Sequence, residues 1–117
     1  PLIKNQPRER LICIALSPGN QVVGFEIVSL GTANSSLASP SEVFKAVLLT
    51  NSTAFILAHN HPSGNCDPSD QDRQTCERVS QAAQLIGVEF LDFLIVTEDS
   101  FYSFAQSDSS ALKKGGV

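Results

Sequence analysis

A chain of 117 residues holds one compact core and leaves no room for two. Apolar residues at 42% and charged residues at 17% exclude a disordered segment, and no apolar run approaches the roughly 18 residues of a membrane span. The net charge is −4 and the eight basic residues are scattered, while Asp67, Asp70 and Asp72 form the densest charge cluster; direct DNA binding, which needs a concentrated basic face, is not expected.

No signal-peptide pattern opens the chain, so a cytoplasmic location is the default expectation. The odd set Cys13, Cys66 and Cys76 reads as reduced thiols, and none pairs as C-x-x-C, which removes zinc fingers and thioredoxin-like chemistry. Lacking H-x-E with P-C-x-x-C, the chain does not read as a zinc nucleobase deaminase either.

Residues 1–8 are polar and read as a lead-in, and a start on Pro1 rather than methionine suits a domain cut from something longer. Leu11 to Leu16 is an apolar run, as in a strand buried on both faces. Ser17-Pro18-Gly19-Asn20 predicts a type II turn with Gly19 at positive φ, and Gln21 to Leu30 completes a hairpin. A loop of small residues covers Gly31 to Ala38. Ser39-Pro40-Ser41-Glu42 predicts a capped helix start, with Val43, Phe44, Val47 and Leu48 as its apolar stripe. Thr53 to Ala58 is a third strand that runs into His59-Asn60-His61-Pro62. After a loop of Ser63 to Pro68, a second helix is expected from Ser69 to about Gly87, with Cys76, Val79, Ala83 and Ile86 inward. Phe90 to Thr97 is a fourth strand, a turn follows at Glu98-Asp99-Ser100, and a short fifth strand spans Phe101 to Phe104. Residues 106–117 read as a flexible tail, which leaves 9–105 as the domain. This order implies an α/β (α+β) fold, a mixed central sheet flanked by helices.

His59 and His61 are two apart at a strand end, so both imidazoles face one side, and Pro62 stops the pairing beyond them. Asp72 extends the inward stripe of the second helix backwards, since 72, 76, 79, 83 and 86 differ by four, three, four and three. Two imidazoles, one carboxylate and an open fourth position make up a catalytic zinc site, where zinc brings the pKa of its water to about 7. Spacing alone supports a metal and a structural role for the histidines about equally. Asp72 has a second reading as the capping-box partner of Ser69, and Ser69 is at least as well read as an N-cap as a catalytic group.

The full string His59-Asn60-His61-Pro62-Ser63-Gly64, then Pro68-Ser69-x-x-Asp72, resembles the signature of the RadC-like branch of the JAB/MPN (JAMM) metalloprotease superfamily. Gly31-Thr32-x-Asn34, Pro40-Ser41-Glu42-Val43-Phe44 and Leu91-Asp92 add to the resemblance, which runs from about Glu9 to Ala105. It implies the JAB/MPN (cytidine deaminase-like) architecture, Zn²⁺ on His59, His61 and Asp72, and a Ser69 that helps stabilise the tetrahedral intermediate. It also implies a glutamate that shuttles the proton of the attacking water. Glu9, Glu26 and Glu42 are the upstream candidates. In JAMM enzymes the base precedes the first core strand, the place Glu9 occupies; its plainer reading is an exposed carboxylate beside Arg8 and Arg10.

The chain departs from the pattern at Phe93, where RadC-like sequences commonly carry histidine, and at Cys66, a thiol in the loop near the ligands that is read as exposed and inconsequential. The resulting expectation is a zinc-dependent hydrolase of amide or isopeptide bonds with a peptide or protein substrate. The rival is a catalytically silent protein-binding module beside DNA-processing partners, a setting the family's historical link to DNA repair suggests.

Overall fold

The computed structural model describes residues 10–30 and 40–107, with the backbone alone at 26–30 and 40–42. The lead-in, the small-residue loop and the tail from residue 108 lie outside the described residues, as do Ser39 and the Glu42 side chain of the expected capping box. In chain order the elements are β1 (Arg10–Leu16), β2 (Val22–Leu30), α1 (Pro40–Leu49), β3 (Ala54–Asn60), α2 (Asp70–Ile86), β4 (Glu89–Val96), β5 (Phe101–Ser103) and α3 (Phe104–Ser107).

The strands form one mixed sheet ordered β2-β1-β3-β4-β5. β1 runs antiparallel to β2 and β3, β4 antiparallel to β5, and β3 parallel to β4. A parallel neighbour cannot be reached by a tight turn, so α2 is the crossover that carries the chain from the end of β3 back to the start of β4. This is the mixed, helix-flanked sheet expected from the element order.

Strand alternation sets one continuous core. Leu11 and Cys13 of β1, Phe55 and Leu57 of β3, and Phe93 and Ile95 of β4 join Val43, Phe44 and Val47 of α1 and Cys76, Val79 and Ala83 of α2 in a single buried cluster. Phe55 sits at its centre, edge-on to Phe44 at 5.4 Å and stacked on Phe90 at 4.9 Å.

Four local expectations need correction. Positive φ at the hairpin falls on Asn20 (61°) and not on Gly19. Asn20 N–H bonds Ser17 O and Ser17 N–H bonds Gln21 O, so the connection is a three-residue loop whose last member is left-handed, a position asparagine tolerates. Leu48 is 60% exposed, because at about 100° per residue it lies well round the helix from Val43 and Val47; Ala46 is buried instead. Ile86 has the right angular position but is 48% exposed in the last turn of α2, just before Gly87 ends the helix. Val88 packs against the core after that turn. Phe104 does not end β5; it begins α3, which runs past the boundary expected at Ala105 to Ser107. Asp92 makes that turn: its carboxylate accepts from Ser103 Oγ and from Ala105 N–H, while Ser103 Oγ accepts from Gln106 N–H.

Phe93 is 1% exposed and stacks on Phe104 at 5.3 Å. The aromatic at this position is therefore a core residue of this chain, and α3 closes over it. Phe93→His would put an imidazole among aromatic rings and is expected to cost about 2–3 kcal/mol, read as a lower midpoint in urea unfolding. Among the described residues no helix is long and apolar enough to cross a membrane.

Candidate metal centre

β3 is the middle strand, and its last residues bring the histidines to one end of the sheet. His59 lies opposite Leu11 on β1 and Ile95 on β4, so its backbone is fixed from both sides. His61 N–H still bonds Val96 O at 2.9 Å, one residue past the strand, before Pro62 turns the chain away. The alternation holds: the two rings share a face, with centroids 5.2 Å apart and planes nearly perpendicular. Asn60 between them is 3% exposed and accepts the N–H of Arg10, which ties the start of β1 to the end of β3.

The third group arrives on the first turn of α2. Asp72 is 1% exposed and lies between the rings: His59 Nδ1 is 2.7 Å from Oδ1, and His61 Nε2 is 2.8 Å from Oδ2. Oδ2 also accepts the N–H of Ser69 at 2.9 Å, while Asp72 N–H donates to Ser69 Oγ at 3.0 Å. The capping box and the inward-facing carboxylate are thus the same side chain in the same conformation. A carboxylate has lone pairs enough for both tasks, so the two readings do not compete. Burial by itself would raise the carboxyl pKa. The hydrogen bonds from His59 and His61, the Ser69 N–H and the charge on His59 outweigh that effect, and hold Asp72 well below the usual carboxylate range.

His61 reveals what the cluster is suited to hold. Its Nδ1 is 2.8 Å from the carbonyl oxygen of Asn65, which can only accept, so Nδ1 carries the hydrogen. In the neutral ring Nε2 then keeps its lone pair, directed at Asp72. That contact is satisfied either by a second proton, which makes the ring an imidazolium, or by a cation shared with the carboxylate. Ligand atoms of His59, His61 and Asp72 all lie within 4.8 Å of one another. Three donors of these types, so close together, could hold one divalent cation. The donor set and the outer carbonyl fit zinc.

Ser69 is the N-cap of α2, with extended backbone and its hydroxyl oxygen accepting from Asp72 N–H. Its own O–H proton stays available to donate. Ser69→Ala is expected to cost about 1 kcal/mol of stability through the lost cap, measured by thermal unfolding of the metal-free protein. Cys66 is half-buried against the core rather than exposed, and is not part of the ligand cluster among the described residues. Glu9 lies outside the described residues, as do the side chains of Glu26 and Glu42.

Two contributors carried no usable sequence signal. Asn65 acts through its carbonyl, a group every residue has. Asn60 looks like a spacer between histidines, yet its side chain closes the β1–β3 junction. Alternation could have placed Asn60 on the opposite face, but not named its partner.

A family model described as the RadC-like JAB domain matches residues 1–109. The chain is 43% identical over 101 residues to a UPF0758 protein of Picosynechococcus sp., covering 86% of this chain and 42% of that one. It is 42% identical over 99 residues to a UPF0758 protein of Rubrobacter xylanophilus, covering 85% and 44%. A UPF0758 protein of Methanosarcina barkeri is 37% identical over 103 residues, covering 88% and 45%. The chain therefore spans a little under half the length of these relatives.

Proposed function

The chain belongs to the RadC-like JAB domain family, and on that premise we propose that it is a zinc-dependent hydrolase acting on amide or isopeptide bonds of a peptide or protein. The observation that carries this reading is the convergence of His59, His61 and Asp72 at the mouth of the sheet, with the outer nitrogen of His61 already held by a carbonyl. A metal bound there supplies Lewis acidity and a water acidified toward neutral pH.

The chain's own groups supply the rest. Asp72 is kept ionised by its hydrogen bonds, so it offers negative charge to a cation throughout the neutral range. The Asn65 carbonyl occupies Nδ1 of His61, which leaves Nε2 as the nitrogen that faces Asp72 and would face a cation. Ser69, one turn before Asp72, donates its O–H to the oxygen of the reacting carbonyl and steadies the charge that develops there. Glu9 takes the proton from the attacking water and passes it to the departing amine. Support for that choice is positional: Glu9 directly precedes Arg10, whose N–H is bonded to Asn60 between the two histidines.

Protein purified without chelator should contain about one zinc per chain by elemental analysis, and His61→Ala should contain almost none. A peptide-library screen should then return cleavage that disappears on chelation and returns with zinc. Full zinc content in His61→Ala would reject the site.

A further inference from the structure

The loop between His61 and Ser69 is bonded chiefly to itself, and most of those bonds meet at one residue. Gly64, at φ 90°, donates its N–H to His61 O at 3.1 Å and turns the chain back. Asn65 N–H then bonds Ser63 Oγ at 3.4 Å, Asn65 Oδ1 accepts Asp67 N–H at 2.9 Å, and Asn65 O accepts His61 Nδ1 at 2.8 Å. Cys66, between them, is packed against the core and pins the loop to the body of the protein.

We infer that the Asn65 side chain is a positioning residue for the metal centre: by bonding Asp67 N–H it holds its own carbonyl on His61 Nδ1, and so fixes which nitrogen of His61 is a ligand. This rests on the metal-centre reading above and deepens it. Only a short side chain with an acceptor two bonds from Cβ or nearer reaches the N–H two residues on; aspartate and asparagine do so well, serine weakly, alanine not at all. Without that bond the peptide after Asn65 is free to turn its carbonyl to solvent. His61, whose side chain is 13% exposed, then bonds water through Nδ1, and the ring can rotate or hold its hydrogen on Nε2. Either change removes the lone pair from the ion's position. Loss of such an outer partner typically weakens metal binding by about 10–100-fold.

The test compares the unsubstituted protein with Asn65→Ala, Asn65→Ser and Asn65→Asp. Zinc affinity is measured by chelator competition at neutral pH, and the His61 ring of the zinc-loaded protein is followed by proton–nitrogen NMR. Asn65→Ala should bind zinc about tenfold more weakly, and its His61 Nδ1–H should exchange rapidly with solvent while the His59 ring signal is unmoved. Asn65→Asp should restore affinity and slow exchange, and Asn65→Ser should fall between, which keeps the comparison open if alanine prevents folding. An Asn65→Ala protein equal to the unsubstituted one in both readings overturns the inference, as does an Asn65→Asp protein as weak as Asn65→Ala. Failure of the unsubstituted protein to take up zinc is a different result: it overturns the metal-centre reading, and this inference with it.

Discussion

Asp72→Ala is expected to abolish stoichiometric zinc binding and to destabilise the metal-free protein by about 2–3 kcal/mol. The two effects share one cause. Asp72 is the only buried carboxylate among the described residues, and it satisfies His59, His61 and the Ser69 N–H together. Removing it leaves two imidazoles facing each other without an anion, and half of the capping box is lost. Zinc affinity should fall well beyond the roughly 10–100-fold that an outer partner commands, because a ligand is gone. Asp72→Asn separates the contributions. Its amide oxygen can still accept the Ser69 N–H, so most of the helix start is kept, but the charge that draws a cation is absent. Urea unfolding should therefore show Asp72→Asn nearer the unsubstituted protein than Asp72→Ala, with zinc lost from both. The pH dependence has a definite sign. Because the folded carboxyl sits below its ordinary value, its stabilisation is fully present above about pH 4 and is lost as pH falls through the folded value. The acid limb of the stability profile should flatten in Asp72→Ala.

The parts of this molecule that could be read from the chain are those set by period and by covalent limits. Alternation places His59 and His61 on one face, and the four-three spacing places Asp72 on the buried side of α2. Ser69 and Gly87 bound α2, one through its capping hydroxyl and one, having no Cβ, by entering the left-handed region at φ 90°. What failed depends on where an element ends in space. Ile86 obeys the helical period yet lies exposed, since burial needs a neighbour as well as a direction. Phe104 reads as the end of the short strand that starts at Phe101. Its helical turn is imposed from β4 by Asp92, eleven positions before Ser103, a contact no local window contains. The loop carbonyl on His61 was unreadable for a related reason: it is a main-chain group, positioned by a bond between Asn65 and Asp67.

Glu9→Gln should leave zinc content and folding unchanged while lowering kcat for peptide hydrolysis by about 10²–10⁴-fold. Glutamine keeps the length and hydrogen-bonding reach of glutamate but cannot take a proton near neutral pH, so it removes proton transfer with little disturbance to binding. KM should change little, because the loss falls on the transition state alone. The rival acids belong to other elements. The backbone of Glu26 lies on edge strand β2, paired with Cys13, which itself pairs with Leu57; Glu26 is thus two strands from β3 and level with a residue short of the histidines. Glu42 belongs to the first turn of α1, a helix that packs against β1, β2 and α2. Arg10, by contrast, is bonded through its N–H to Asn60, and Glu9 is joined to it directly. Measuring kcat for Glu9→Gln, Glu26→Gln and Glu42→Gln at matched zinc content decides the assignment. Unchanged turnover in Glu9→Gln, with a large loss in one of the others, would move the proton-carrying role to that residue and leave the metal ligands as they stand.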